Sequence, residues 1–245
     1  EPPVNLELIT VSVLLVTSGS LCIAMLVAWL YLGRQPYALM WAIAAGGAAL
    51  QWVIAIVAHA AFPAALLPHI LTGQLTVIDS SLIALAFRHR AGLPLRTGWF
   101  VAGNLAAFAV LVFAVAIRDD QGLRTFVANI APALLFLLTV PVLLKRGRGK
   151  PPLEFGLAAV LLLFALFECT VAVLALYIGT DGLVPAAITY RALLGIGLPA
   201  CYVALGLAAV MLLVSDLAGK LEALTTRDPL TGAETQRTVA MEERP

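Results

Sequence analysis

The chain has 245 residues, of which 62% are hydrophobic and only 12% are charged, and its mean hydropathy is +1.00. Soluble globular domains carry about 25% charged residues, so this composition excludes an ordinary soluble protein and indicates a chain embedded in a lipid bilayer. The formal net charge of +1 gives no sign of a nucleic-acid partner.

Seven apolar segments are long enough to cross a membrane as helices, since a spanning helix needs about 20 mostly apolar residues. They are continuously apolar rather than alternating, which excludes the strands of a membrane barrel. Turn-forming sequences such as GRQP and RDDQG separate them. The sequence therefore predicts an all-α, polytopic bundle of seven transmembrane helices, at 7–32, 38–62, 65–87, 98–117, 123–144, 154–178 and 185–214.

Basic residues predict the orientation of the bundle, because Lys and Arg concentrate on the cytoplasmic side. The polar segments after the first, third, fifth and seventh spans, Arg88 and Arg90 among them, carry twelve basic residues. The opposite side has only Arg118 and Arg124. We therefore expect the N-terminus outside and the C-terminus in the cytoplasm. The chain starts at Glu1 without a basic segment, so no signal peptide is expected.

Ionisable side chains inside membrane spans are costly and by default mark functional sites. Asp79, Glu168 and Arg191 fall within the third, sixth and seventh predicted spans. At 1.5 Å per residue, Glu168 lies roughly 15 Å and Arg191 roughly 9 Å below the outer ends of their spans, so their side chains are expected to meet. Other polar side chains complete a predicted pocket for an unknown small ligand in the outer half of the bundle: His59, His69, Asn129 and Tyr190.

The same residues also have purely structural interpretations. Glu168 and Arg191 are equally well explained as a buried pair that fixes helix register. The two histidines fit interfacial hydrogen-bonding groups better than metal ligands, because a zinc site needs further ligands nearby; a haem site with two histidines stays open. Asp79 is either a proton site or a helix–helix hydrogen bond. Small residues around Gly46 and Gly47 favour close helix packing.

A short apolar seam follows the seventh span. Its residues repeat at the 3-4-3 spacing of a coiled coil, and they are Val214, Leu217, Leu221 and Leu224. The spacing predicts a cytoplasmic helix at 215–226, with Asp216 on its polar side, that pairs with a second copy of the chain in a homodimer. An amphipathic helix lying on the membrane is the alternative.

The stretch RDPLTGA, at 227–233, resembles the opening of a GGDEF domain, the catalytic domain of diguanylate cyclases. That domain begins with the signature D-x-L-T-G-L-x-N-R. Thr235 and Gln236 stand where the signature has Asn and Arg. A plain helix stop is the alternative, because D-P and T-G are turn dipeptides. The residues that agree with the signature are Asp228, Pro229, Leu230, Thr231 and Gly232.

The resemblance implies a multi-pass protein of the bacterial cytoplasmic membrane whose whole form uses GTP and Mg²⁺ to make cyclic di-GMP. Its implied parts here are a sensory domain at 1–214, a signalling helix at 215–226 and the truncated start of a GGDEF-like domain at 227–245. The GGDEF loop and the metal-holding carboxylates are absent from the sequence. We therefore expect this chain to have no catalytic residues, no metal and no cofactor of its own.

These observations favour a sensory module that passes a signal through the seventh span to a cytoplasmic output. A small transporter or channel is the alternative, although such proteins show repeats between their halves, and none is evident. A retinal photoreceptor is excluded because no lysine lies inside a predicted span. A sensor kinase is disfavoured because RDPLTG stands where its phosphorylated histidine would be.

Overall fold

The computed structural model describes residues 6–31, 33–62, 65–144, 152–178, 190 and 192–225. Within these ranges all regular structure is helical, and seven helices are long and apolar enough to cross a membrane, which confirms the all-α, seven-helix prediction. Two π-helical segments extend α4 and precede α7, at Phe113–Ile117 and Leu193–Gly197. The α-helices are α1 (Leu6–Tyr31), α2 (Pro36–Ala61), α3 (Leu66–Arg90), α4 (Thr97–Val112), α5 (Gln121–Leu144), α6 (Pro152–Ile178) and α7 (Leu198–Thr225).

Helix ends follow the local chemistry of the turns. The turn before α2 passes through Gly33, whose φ of 85° suits a residue without a Cβ atom, and Pro36 then opens the helix. Before α5, the Asp120 carboxylate accepts a hydrogen bond from the backbone N–H of Leu123 at 2.8 Å. This bond satisfies one of the free donors of the first turn.

One helix, α3, runs further than the sequence analysis expects, and another, α7, joins the predicted seventh span to the helix predicted at 215–226. The placement of Arg88 and Arg90 in a loop is wrong, because α3 continues through both residues. Arg90 remains helical because its side chain turns inward to carboxylate partners in the bundle. α7 runs without a break through the boundary predicted at 214 and ends at Thr225. The GGDEF-like motif at 227–233 lies outside the described residues.

Six helices form a closed ring. Neighbours in contact around it are α1 with α2, α2 with α3, α3 with α5, α5 with α6, α6 with α7, and α7 with α1. α4 lies outside the ring against α3 and α5. The Asn104 amide of α4 donates to Ser81 Oγ of α3 at 2.8 Å, a polar contact of the kind that joins helices in lipid. The two ends of the ring are called below the Arg90 end and the Arg124 end.

Gly47 of α2 lets α3 approach closely at the middle of the ring. A Cβ atom at Gly47 would collide with the Asp79 carboxyl group of α3. The absence of a side chain at Gly47 therefore makes room for the acidic side chain of Asp79, in the region where the glycine pair predicted close helix packing. Nearby, the Gln51 side chain of α2 accepts a hydrogen bond from Thr76 of α3 at 3.0 Å.

Replacing Gly47 with Ala should lower the free energy of unfolding by about 1–3 kcal/mol, the usual cost of overpacking a fitted core. Gly19→Ala is the matched control, since a Cβ atom there meets nothing within 4 Å. Thermal unfolding of the purified protein in detergent measures both variants. Adding Asp79→Ala to Gly47→Ala should remove the collision, so a double variant that loses more free energy of unfolding than the sum of the two single losses would contradict this account.

Candidate functional site

A cavity lies inside the ring of six helices. Its volume is about 60 Å³, counted as the space open to the centre of a water-sized sphere. By that measure one water needs about 10–15 Å³, so the cavity holds several waters or a small ligand. All six ring helices contribute described residues to its wall, whereas α4 contributes none of those described.

Two acidic side chains face this cavity, Asp79 of α3 and Glu168 of α6. They are only 6% and 4% exposed, and one oxygen of each, Asp79 Oδ2 and Glu168 Oε2, has no hydrogen-bond partner among the described residues. Within the same part of the chain, Ser18 Oγ and the Trp41 indole nitrogen, from two further lining residues, are also buried without a partner. Buried polar atoms without partners are rare and costly, so this concentration marks a binding site.

The acidic groups lie deep in the bundle. Asp79 is 13 residues from the first residue of α3 and 11 from its last, which places it roughly 20 Å and 16 Å from the two ends. Glu168 is 10 residues from the end of α6, roughly 15 Å. Aromatic rings form much of the remaining wall, and they are Trp41, Phe87, Phe136, Phe164 and Tyr202.

None of the other described residues of the predicted outer pocket lines the cavity, although Tyr190 lies within electrostatic range of Glu168. His59 is exposed and His69 is half-buried, and neither is among the described residues that line the cavity. Asn129 donates to the Thr125 carbonyl oxygen of its own helix at 2.6 Å. Tyr190 shares a side-chain hydrogen bond with Thr125. Arg191 lies outside the described residues, so its pairing with Glu168 stays a prediction.

The structure places Asp79 and Glu168, both members of the predicted site, in the wall of one cavity. It also brings Arg124 into electrostatic contact with both Tyr190 and His69 at the Arg124 end. The sequence analysis used Arg124 only in the count of basic residues on the outer side. Its position at the start of the predicted span 123–144 was the available signal.

A second polar group closes the Arg90 end of the ring. The Arg90 guanidinium of α3 donates to both carboxylate oxygens of Asp216 in α7, at 2.7 and 2.6 Å, and to Glu154 of α6 at 3.1 Å. The Tyr37 hydroxyl of α2 also donates to Asp216, at 2.8 Å. These four residues are called the Arg90 cluster. Side-chain exposure is 9% for Arg90, 6% for Glu154 and 24% for Asp216.

The Arg90 cluster is absent from the sequence-based predictions. Asp216 was assigned to the solvated side of a signalling helix, whereas the structure holds it against the bundle. Arg90 was assigned to a loop, and Glu154 received no role. Opposite charges at the same end of three predicted spans could have indicated an ion pair between helices. The sequence does not show, however, which of these helices are neighbours in the bundle.

Aromatic contacts join the cavity to the Arg90 cluster. Trp41 lines the cavity, and its ring meets Phe87 at a centroid distance of 5.1 Å. On its other side Trp41 meets Tyr37 edge-on, at 5.4 Å and an interplanar angle of 70°. Since Tyr37 donates to Asp216, packed side chains run continuously from the cavity to the last part of α7.

In the part of the chain that the structure describes, no group of three or more His, Cys, Asp or Glu side chains is arranged to hold a metal ion. Comparisons with known protein families, with curated proteins and with solved structures found no match for this chain. The function proposed for this chain therefore rests on the geometry of the central cavity and of the Arg90 cluster.

Proposed function

We propose that this chain is a membrane sensory module, in which a ligand in the central cavity changes the position of α7 and of the segment that follows it. One observation carries this proposal: the same helix lines the cavity and extends beyond the ring. Tyr202 and Leu205 of α7 face the cavity, and Asp216 lies about three to four turns further along the helix.

The Arg90 cluster supports the proposal because it gives α7 a defined resting position. Asp216 is held by charge-assisted hydrogen bonds with a directional, two-pronged geometry. Such contacts favour discrete arrangements over a continuous range, which is what a switch requires. A ligand that displaced Trp41 would shift Asp216 through Tyr37, which contacts both residues. A ligand that rotated α7 would shift Asp216 directly, because Asp216 belongs to that helix.

The output in this proposal is the cytoplasmic GGDEF domain of a bacterial diguanylate cyclase, which the RDPLTGA stretch resembles. Val214 and Leu221 on the last part of α7 are exposed apolar side chains, as a pairing surface requires. Leu217 is half-buried, and the side chain of Leu224 lies outside the described part of the chain. Pairing of two signalling helices would bring two catalytic domains together.

The proposed orientation places the Arg90 end in the cytoplasm. Reporter fusions after Arg148 and after Lys220 should both report a cytoplasmic location, and a fusion after Asp181 should report the outside. The physical reason is the excess of basic residues on one side. A cytoplasmic signal at Asp181 would overturn the orientation.

A chimera tests the proposed coupling. Residues 1–226 are joined to a GGDEF domain of known activity, and cyclic di-GMP is measured in cells and in purified membranes. Asp216→Asn, which weakens the hold of Arg90 on α7, should change output at least about fivefold, since coupling free energies are typically 1–3 kcal/mol. Asp119→Asn, at an exposed turn position, is the control and should leave output unchanged.

Unchanged cyclic di-GMP output in the Asp216→Asn chimera would contradict the coupling.

The chain without an added domain should make no cyclic di-GMP from GTP and Mg²⁺. Turnover above a detergent blank would mean that it carries catalytic groups of its own.

A transporter is the second candidate, and the paired acidic groups near the membrane centre favour it, because such groups often relay protons. In proteoliposomes this candidate predicts proton flux that Asp79→Asn abolishes and Asp216→Asn leaves intact. A sensory module predicts no flux with either variant.

A further inference from the structure

We propose that the central cavity binds a small organic cation, an amine or quaternary ammonium group with a short apolar body and one oxygen acceptor. This inference deepens the proposed function, on which it rests in taking the cavity as the ligand site.

The charges of the wall point to a cation. Asp79 and Glu168 supply two acidic groups, and none of the described residues that line the cavity is Lys, Arg or His. Arg191 lies outside the described residues, so Asp79 carries the inference first: its carboxyl group fits against Gly47, and its Oδ2 is buried with no hydrogen-bond partner among the residues that the structure describes. A bound cation would stabilise the ionised form of these buried carboxyl groups by pairing with it, whereas an anionic ligand would repel that form.

The aromatic wall favours an organic cation over a metal ion. Five aromatic side chains line the cavity, and two of them, Phe136 and Tyr202, approach the ring of Phe164 at centroid distances of 5.1 and 5.8 Å. Aromatic faces attract alkylammonium groups through cation–π contacts and cover their methyl and methylene groups. Hard metal ions instead need about six oxygen ligands, which these rings do not provide.

One further atom narrows the ligand class. The Trp41 indole N–H is a donor only, and it is buried without an acceptor among the residues that the structure describes. A hydroxyl or carbonyl oxygen on the ligand would satisfy it. The cavity has room for about four to six waters, so the ligand has a similar number of non-hydrogen atoms, as a short amino alcohol does.

Choline and its neutral isostere 3,3-dimethyl-1-butanol are the probes. They have nearly the same shape, and only choline carries the charge. Binding to the purified full chain is measured by calorimetry and by the shift in thermal unfolding in detergent. We expect choline to bind and to raise the unfolding temperature, and the neutral alcohol to bind at least tenfold more weakly. Equal binding of the two, or binding of neither, would overturn the inference.

Variants test the individual contacts. Asp79→Asn and Glu168→Gln should each weaken choline binding at least tenfold, while Asp119→Asn should leave it unchanged. Trp41→Phe keeps an aromatic ring but removes the donor, so it should weaken choline and leave tetramethylammonium, which has no hydroxyl, unaffected. If an acidic-site variant fails to fold, the comparison of choline with its neutral isostere on the wild-type chain still tests whether the cavity recognises a positive charge.

Two outcomes separate this inference from the proposed function. Stabilisation by Na⁺ or Mg²⁺ alone, with no effect of choline, would mean an inorganic ion site and would overturn the ligand class, while the chimera could still respond to Asp216→Asn. Choline binding with a chimera indifferent to both choline and Asp216→Asn would support the ligand class and overturn the sensory function.

Discussion

Replacing Arg90 with Met should lower the free energy of unfolding by about 3–5 kcal/mol, the typical cost of removing one partner from a buried ion pair. The variant leaves Glu154 and Asp216 facing each other without the cation that both contact. Glu154 is almost fully buried and bears most of this cost. Asp216 is about a quarter exposed, so solvent screening reduces its share. Thermal unfolding in detergent and proteolysis of the opened state both measure the loss.

Matched variants distinguish stranded charge from lost packing. Glu154→Gln keeps the two-pronged bond between Arg90 and Asp216, so it should cost much less than Arg90→Met. Replacing all four residues of the Arg90 cluster with apolar residues of similar size should recover most of the loss, because the charges that contact one another in this cluster are then removed together. If Arg90→Met costs less than about 1 kcal/mol, water reaches these groups and the cluster is a surface feature.

Replacing Phe87 with Ala should lower the free energy of unfolding by about 3 kcal/mol, the lower end of the usual range for a buried phenylalanine. The low end applies because lipid is as apolar as the helix interior, so packing contacts supply the loss. Phe87 is fully buried, meets the ring of Trp41 edge-on and lines the cavity. The variant therefore enlarges an existing cavity that the surrounding helices already fail to fill.

Phe155→Ala is the control for Phe87→Ala. Both residues lie three positions from a helix boundary at the Arg90 end, Phe87 before the end of α3 and Phe155 after the start of α6. Phe155 is exposed on the bundle surface and makes no comparable core contact. We expect a small change for Phe155→Ala in the same unfolding measurement. Equal losses for the two variants would show that residue type, rather than packing against Trp41, sets the cost.

The sequence by itself determined the number of helices and most of their bounds. In lipid every backbone N–H and C=O group must be paired within the segment, so a long apolar run has helix as its stable form. The length and the ends of an apolar run can be read directly from the order of residues. For this reason six predicted spans, from 7–32 to 154–178, agree with the observed helices to within three residues at nearly every boundary. The sequence also identified Asp79 and Glu168 as costly inside a membrane.

Only the tertiary structure decided which helices are neighbours. These helices are apolar on most of their surface, because one side faces other helices and the other faces lipid, so periodicity does not reveal the buried side. Asp79 and Glu168 reach one cavity because α3 and α6 lie in one ring, and Arg90 reaches Asp216 across 126 positions of sequence. The order of the helices follows from close packing at small residues such as Gly47, which depends on shape and therefore on the assembled bundle.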